Sequence, residues 1–399
     1  MRAWRFVLTF GTVSLLSDVV YEGARSITGP LLAQLGASAL IVGVVTGLGE
    51  AAALLLVSGP LADRTKRFWA WTIAGYALSV ISIPPLGFSG VLWVASALII
   101  AERVGKAVRS PAKDAVLSYA TAATGRGRGF AVHEALDQVG AIIGPLVVAV
   151  MLAITGNRYG PSLAVLAIPG VMTLALLVWL RARVPQPAHY EQAGPLLLTA
   201  DNGPATDNTS RKTRLPRAFW VYSGFTAMTM VGFATFGLLS FHMVKRGLLP
   251  APIIPVLYAA VMAMDALAAL VTGWAYDRYG PRILLTLPVV AAAIPALAFA
   301  DALAPVIAGS LLWGAAQGIQ ESTLRASIAD LIEPHRRSTA YGIFAAILGV
   351  ATAAGATLAG ALYDTSIPAL IAVTAVMQAL AVIAFAVLAP WPSTRHSRR

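Results

Sequence analysis

Charged residues stand where apolar helices are otherwise expected, and their spacing limits the chemistry they can do. Asp18, Glu22 and Arg25 fall at i, i+4 and i+7, on one face of a helix. Glu102, Lys106 and Arg109 make a second stripe, with Arg103 beside it. His133, Glu134 and Asp137 form a third group; Glu50, Asp265 and Glu321 stand singly, with Gln317 one turn from Glu321. A charge at the centre of a bilayer costs about 2.5–3.5 kcal/mol on insertion scales, so these residues are expected to face a partner or water. Two readings follow. Glu22 with Arg25, and Glu102 with Lys106, can neutralise each other and brace a helix bundle. Alternatively they line an aqueous cavity, where carboxylates pass protons and mixed acids and bases hold a polar solute.

A proton carrier must change charge during its cycle. Desolvation favours a neutral carboxyl and a nearby base favours the ionised one, so small rearrangements can switch it. Two carboxyls one turn apart also repel, which leaves one protonated for part of a cycle. Asp18 or Glu22 is the expected carrier, Arg25 and the bases near residue 106 set its affinity, and Glu134 and Asp137 stand in reserve. The competing reading has Glu22 permanently ionised against Arg25. Expected solute contacts are Arg25, Glu102, Arg103, Lys106, Gln317 and Glu321.

His133-Glu134-Ala135-Leu136-Asp137 also approaches a zinc-protease pattern, two ligands one turn apart with a general-base glutamate. No other ligand cluster accompanies it. The absence of cysteine excludes thiolate zinc, iron–sulfur and disulfide frameworks. Gly105-Lys106 lacks the rest of a phosphate loop, so neither an enzyme, a metal site nor a cofactor is expected.

The elements that carry these residues are membrane helices. The 399 residues are 58% hydrophobic and only 12% charged, against about 25% charged in soluble domains. Mean hydropathy is +0.75. A net charge of +11 suggests nucleic acid until its placement is read. Arg2, Arg5, Arg64, Lys66, Arg67, Arg126, Arg128, Arg181, Arg183, Arg278, Arg282, Arg336 and Arg337 fall in alternate loops or termini. That is the positive-inside pattern, with both termini cytoplasmic, a multi-pass chain in the plasma (inner) membrane and lipid as its partner. Apolar runs of about the 20 residues a bilayer requires recur twelve times. The first, interrupted by Asp18 and followed by no small-residue cleavage site, reads as a retained helix. Residues from Arg181 to Arg217 are polar and rich in Pro, Asn and Thr, a linker between halves. The expected division is residues 1–182, a linker at 183–216, and residues 217–399.

The halves repeat. Gly59-Pro-Leu-Ala-Asp63-Arg64-Thr-Lys-Arg67 returns as Gly273-Trp-Ala-Tyr-Asp277-Arg278-Tyr-Gly-Pro-Arg282, and 273 − 59 equals 277 − 63, both 214. Gly105 with Gly318 and Gly129 with Gly342 keep step at 213. Duplicated membrane helices are a hallmark of secondary transporters. The two loops resemble the loop motif of the major facilitator superfamily, with Lys66 where that family has glycine. The resemblance implies an all-α membrane protein of twelve helices in two pseudo-symmetric six-helix bundles. It implies alternating access around a cavity lined by helices one, four, seven and ten. Gly59, Asp63, Arg64, Arg67, Gly273, Asp277, Arg278 and Arg282 are then the conformational switch, with the glycines admitting close helix approach. Gly140 to Pro145 resembles the Gly-x-x-x-Gly-Pro run of drug:proton antiporters. It implies a proton-coupled exporter of small organic solutes, working as a monomer. Mixed acids and bases in the cavity suit a rival, a proton-coupled importer or exchanger of small anions or zwitterions.

Overall fold

The computed structural model describes residues 1–55, 64–65, 67–124, 126–187, 215–331 and 337–388. Among these residues there are helices and turns and no strand. The helices are α1 (Ala3–Arg25), α2 (Thr28–Gln34), α3 (Ala39–Leu55), α4 (Phe68–Leu86), α5 (Leu92–Thr124), α6 (Arg126–Ile154), α7 (Tyr159–Ala164) and α8 (Ala167–Arg183). After residue 214 come α9 (Arg217–Val231), α10 (Phe236–Lys245), α11 (Ile253–Tyr279), α12 (Thr286–Ala298), α13 (Leu303–Leu331), α14 (Arg337–Thr365) and α15 (Ile367–Leu388). Among the described residues, eight helical stretches are long and apolar enough to cross a bilayer, and Ala39–Ala52 is a shorter apolar helix. The charged helices α5 and α13 fall outside that composition.

The first apolar run is not one helix. It breaks at Ser26–Ile27, where Ile27 leaves helical geometry at φ −117°. Hydroxyls close the gap: Ser26 Oγ donates to Gly23 O at 2.6 Å and Thr28 Oγ1 to Ala24 O at 3.1 Å. Inside a membrane a helix can break only where such partners take up the freed carbonyls. The break leaves Arg25 in the last turn of α1, where a cation suits the helix dipole. The run after residue 216 breaks likewise between Val231 and Phe236, with Trp313 Nε1 donating to Ala234 O at 2.7 Å.

Small residues set the tightest helix contacts. Gly140 and Gly144 of α6 lie against the backbone carbonyls of Leu15 and Val19, and Gly23 of α1 faces Gly144 O. Gly43 of α3 faces Ala356 O of α14 in the same way. A side chain at these places would meet backbone, so only glycine allows the crossing. The apolar cores divide unequally. One large cluster draws on both sides of residues 188–214, from Val19 and Leu32 to Trp313 and Leu370. Two smaller ones do not mix: Phe6, Phe10, Trp69 and Leu180 make one, and Phe219, Tyr222, Phe344 and Phe385 the other. The two parts of the chain therefore share a core over part of their length and have separate ones where α1 and α9 begin. We call that the basic end, since Arg2, Arg5, Arg64, Arg67, Arg183, Arg217 and Arg278 are exposed there.

The second copy of the repeated motif departs from expectation. Gly273 lies inside α11, and Asp277 and Arg278 occupy its last turn. The turn itself is made by Gly280 at φ +68°, followed by a short 3-10 helix, Gly280–Leu285. Gly280 supplies the left-handed backbone that L side chains avoid, whereas nothing in Gly273's surroundings ends a helix. A side chain at Gly273 would also meet nothing within 4 Å, so no neighbouring helix packs on it here. Gly59, Asp63 and Lys66 lie outside the described residues.

Candidate functional site

Where the two parts separate, they enclose a cavity of about 740 Å³. Its wall from α1 carries Asp18, Glu22 and Arg25, the stripe that the spacing placed on one face. From α5 come Lys106, Arg109, Ser110, Lys113, Asp114 and Leu117, and from α6 His133, Glu134, Asp137, Gln138 and Ala141. The later part of the chain adds Met262 and Asp265 of α11 with Gln317 and Glu321 of α13. Lys113, Asp114 and Leu117 lie in the second half of α5, so the cavity runs toward the basic end.

The opposite end is closed. The backbone of Gly29 in α2 lies against Gly237, Ser240 and Phe241 of α10, with no room for a side chain. Thr46 and Thr235 share a hydrogen bond at 2.8 Å. Asp364, at the end of α14, accepts from the backbone N–H groups of Ala39 at 3.1 Å and Leu40 at 2.8 Å. It caps the first turn of α3 from across the molecule, where orphan N–H donors favour an anion.

A charge relay lies between the closed end and the cavity. Tyr258 O–H of α11 donates to Glu22 Oε2 at 2.6 Å. Arg25 stands 3.5 Å from Glu22 and 3.0 Å from Glu50 Oε1. Arg103 reaches the same Glu50 oxygen at 3.2 Å and Glu102 at 3.4 Å. The Tyr21 ring gathers cations, with Arg103 at 4.5 Å and Lys106 Nζ at 3.9 Å from its centroid, a contact strengthened by desolvation.

Nearer the basic end the pairs are looser. Asp18 meets Arg109 at 4.0 Å, while Arg109 also donates to Ser79 Oγ at 3.1 Å and stacks on Tyr76. Asp137 lies 3.8 Å from Lys113 and 3.4 Å from His133 Nδ1. His133 and Asp137 are thus turned onto each other, and among the described residues no group of three His, Asp or Glu side chains can hold a metal.

The structure brings together most of the residues singled out by spacing, with three corrections. Glu102 and Arg103 do not line the main cavity; they are buried behind Tyr21, beside Ile83, Leu86 and Ile99. The pairing of Glu102 with Lys106 is replaced by Glu102 with Arg103, because Lys106 turns onto the Tyr21 ring. The run of α9 and α10 gives the main cavity no residue; its break at Phe233–Thr235 lies with Arg25, Glu50 and Trp313 in a smaller pocket. The walls come instead from α6 and α11. Of the switch residues, Arg64, Arg67, Asp277, Arg278 and Arg282 are exposed, with Arg278 stacked on Trp274 and Tyr279 at 5.7 and 5.8 Å.

Lys113 and Tyr21 escaped the sequence argument, and Asp265 was noted there only as a lone acid. Lys113 extends the α5 stripe one turn past Arg109, beyond Pro111. Asp265 follows Tyr258 by seven residues, two turns on one face of α11. Tyr21 carries no sequence signal of its own.

Helices spanning a bilayer around a charged cavity, closed at one end and open toward the other, define a membrane transport protein. Comparison with known proteins agrees. The Major Facilitator Superfamily model matches residues 14–264 and 249–399, and the chain belongs to that superfamily of transporters. It is 61% identical to the Mycobacterium tuberculosis protein Rv2265 over 393 residues, 98% of this chain and 94% of that one. An MFS-type transporter of Methanocaldococcus jannaschii, MJ1317, is 26% identical over 369 residues, 90% of this chain and 89% of its own. Among solved structures, a variant of the nucleoside transporter NupG superposes with a TM-score of 0.73 at 13% identity, covering 96% and 99% of the two chains. A variant of the peptide transporter POT in complex with alafosfalin gives 0.72 at 15% identity, covering 96% and 93%. At those identities the likeness is one of fold.

Proposed function

We propose that the chain is a secondary active transporter that moves small polar organic solutes by alternating access, coupled to protons. Residues 1–182 and 217–399 form two six-helix bundles of twelve spans in all, joined by residues 183–216. Both termini lie in the cytoplasm, and the structure is the cytoplasm-open state of a monomer in the plasma membrane. The observation that carries this reading is the 740 Å³ cavity, lined by ionisable groups from both parts and sealed at one end. A solute held there can be passed across when the two parts rock and the seal exchanges ends.

Of the carboxylates, Asp18 is the better proton carrier. Glu22 is held by both Tyr258 and Arg25, whereas among the described residues Asp18 makes one ion pair, with Arg109 at 4.0 Å, and faces the cavity. Glu134 and Asp137 are the second choice. The switch of Gly59, Asp63, Arg64 and Arg67 with Gly273, Asp277, Arg278 and Arg282 acts in the cytoplasm-closed state. Export is the first reading of direction, carried by the antiporter-like Gly140–Pro145 run, although Gly140 and Gly144 also serve plain packing against α1. The second reading, uptake or exchange of anions or zwitterions, is favoured by the bases on the α5 wall.

Proteoliposomes loaded with a pH-sensitive dye test coupling and direction together. Pools of amino acids, dicarboxylates and amines are added outside, and the sign of the internal pH change is read. Solute entry that expels protons marks exchange, and entry that brings protons in marks symport. Asp18→Asn is expected to abolish the proton signal and Glu22→Gln to weaken it. A proton signal unchanged in both variants places the carrier elsewhere.

A further inference from the structure

A second cavity, of about 300 Å³, lies apart from the main one, at the closed end of the part before residue 188. Three stretches wall it: Leu31, Gln34 and Leu35 of α2, Gly87 to Ser89 after α4, and Asn157 to Pro161 at the start of α7. Gly87 lies against the backbone of Tyr159 and Gly160, which joins the second stretch to the third. Gly156 and Asn157 turn the chain at φ +65° and +63°, left-handed geometry that glycine and asparagine tolerate. Arg158, itself exposed, follows in the cavity wall.

The charge of this cavity is unbalanced. Arg158 is the one charged side chain among its described lining residues, and no described carboxylate lies within 4 Å of it. On the other part of the chain, Arg246 is answered by Asp301 at 3.2 Å. Gln34 and Asn157 line the cavity with amides, which can donate to the remaining oxygens of an anion held by the arginine. The flanks are apolar. Phe88 lines the cavity and is exposed, as are Val91, Trp93 and Ile154 on the adjoining helix ends. Such side chains belong under acyl chains, with tryptophan at the level of the headgroups. A small water-soluble anion would use the arginine alone, whereas a phospholipid uses the arginine and the apolar rim together.

We infer that this cavity is a site for the headgroup of an anionic phospholipid, with its phosphate on Arg158 and its acyl chains leaving past Phe88. The site is independent of the solute and of its coupling to protons.

The chain contains no cysteine, so Ser89→Cys, in the cavity wall, reports occupancy without background. The full-length variant in micelles of an uncharged detergent is labelled with N-ethylmaleimide, itself uncharged, so micelle charge does not alter its approach. Phosphatidylglycerol is expected to slow labelling about fivefold more than phosphatidylcholine, the weight of one basic residue toward an anionic lipid. Arg158→Gln should remove that preference, and Arg158→Lys should keep most of it. Ala302→Cys, exposed at the closed end on the other part of the chain, should label at one rate with either lipid. Inorganic phosphate and glycerol phosphate carry the same anion without acyl chains, and neither should protect Ser89→Cys.

Equal protection by the two lipids marks plain coverage by the micelle and overturns the inference, as does no protection at all. Protection by the soluble phosphates assigns the cavity to a free anion and overturns it too. Thermal unfolding of the parent chain supplies a reading that needs no cysteine. Its midpoint should rise more with phosphatidylglycerol than with phosphatidylcholine, and Arg158→Gln should lose part of that difference. A difference unaltered in Arg158→Gln places the lipid at the basic end and overturns the site.

Discussion

Glu50 is the anion shared by two arginines, and its loss measures what the relay contributes. Arg25 and Arg103 meet the same carboxylate oxygen, at 3.0 and 3.2 Å. Glu50→Gln keeps the size of the side chain and leaves two guanidinium groups facing a neutral amide. Breaking a buried ion pair costs about 3–5 kcal/mol, and Glu50 is partly exposed, so a loss near the lower figure of about 3 kcal/mol is expected. Intrinsic tryptophan fluorescence during thermal unfolding in micelles checks it, since a chain without cysteine gives thiol dyes nothing to report. An unchanged midpoint would mean that Glu22 and Glu102 carry the arginines by themselves. At this scale the sequence was informative wherever charge repeated at helical spacing. Asp18, Glu22 and Arg25 were found because i, i+4 and i+7 share a face, and Lys106 and Arg109 by the same rule. Glu102 shares that periodicity and still leaves the cavity for a pocket it shares with Tyr21 and Arg103, and no period encodes which neighbours draw it there. Tyr258 was illegible for a different reason. A lone phenol in an apolar run looks like core until its partner, 236 residues away, is known.

Helices one turn too tight or too loose would lose the site, and glycines decide which pairs come close. Gly144 of α6 stands against Val19 and Gly23 of α1, with the Gly23 nitrogen 2.9 Å from where a Cβ would lie. Gly144→Val must push α1, and with it Asp18 and Glu22, off the cavity wall. Its midpoint should fall by the equivalent of about 1–3 kcal/mol, as overpacking in a tight contact does. Gly273→Ala is the opposite case. It meets nothing within 4 Å, and alanine is the better helix former by about 1 kcal/mol, so stability should hold or rise. If the loop packs only when the basic end closes, the same variant slows transport in the dye assay while its thermal midpoint is unchanged. Full activity would make Gly273 a passive helix residue. The repeat offset revealed this glycine, but not that it sits within α11 while Gly280 makes the turn. Both positions are glycines, and the sequence does not say which one adopts φ +68°. The helix breaks at Ser26–Ile27 and Val231–Phe236 were hidden similarly, since the hydroxyls and indole that permit them lie within unbroken apolar runs.

At the scale of the whole molecule, one end is shut by contacts that must all be broken for the cavity to face the other side. The large shared core and the α2–α10 crossing are spread over many apolar atoms, so no single change removes them. Asp364 is different, because a single carboxylate ties the end of α14 to the first turn of α3 through two backbone N–H groups. It gains those bonds only while this end is closed. Removing an N-terminal cap costs about 1 kcal/mol, so Asp364→Ala should move the balance away from the state closed at this end by about fivefold. Spin labels on Gly90→Cys and Ala302→Cys, both exposed at the closed end and on different parts of the chain, would report it as a longer distance gaining population. Asp364→Asn provides the control, since an amide oxygen still accepts from one N–H and should recover part of the shift. A distance distribution identical in all three proteins would leave closure to the apolar contacts alone. A shift toward longer distances with slower transport would identify Asp364 as the latch that sets how long the cavity faces the basic end.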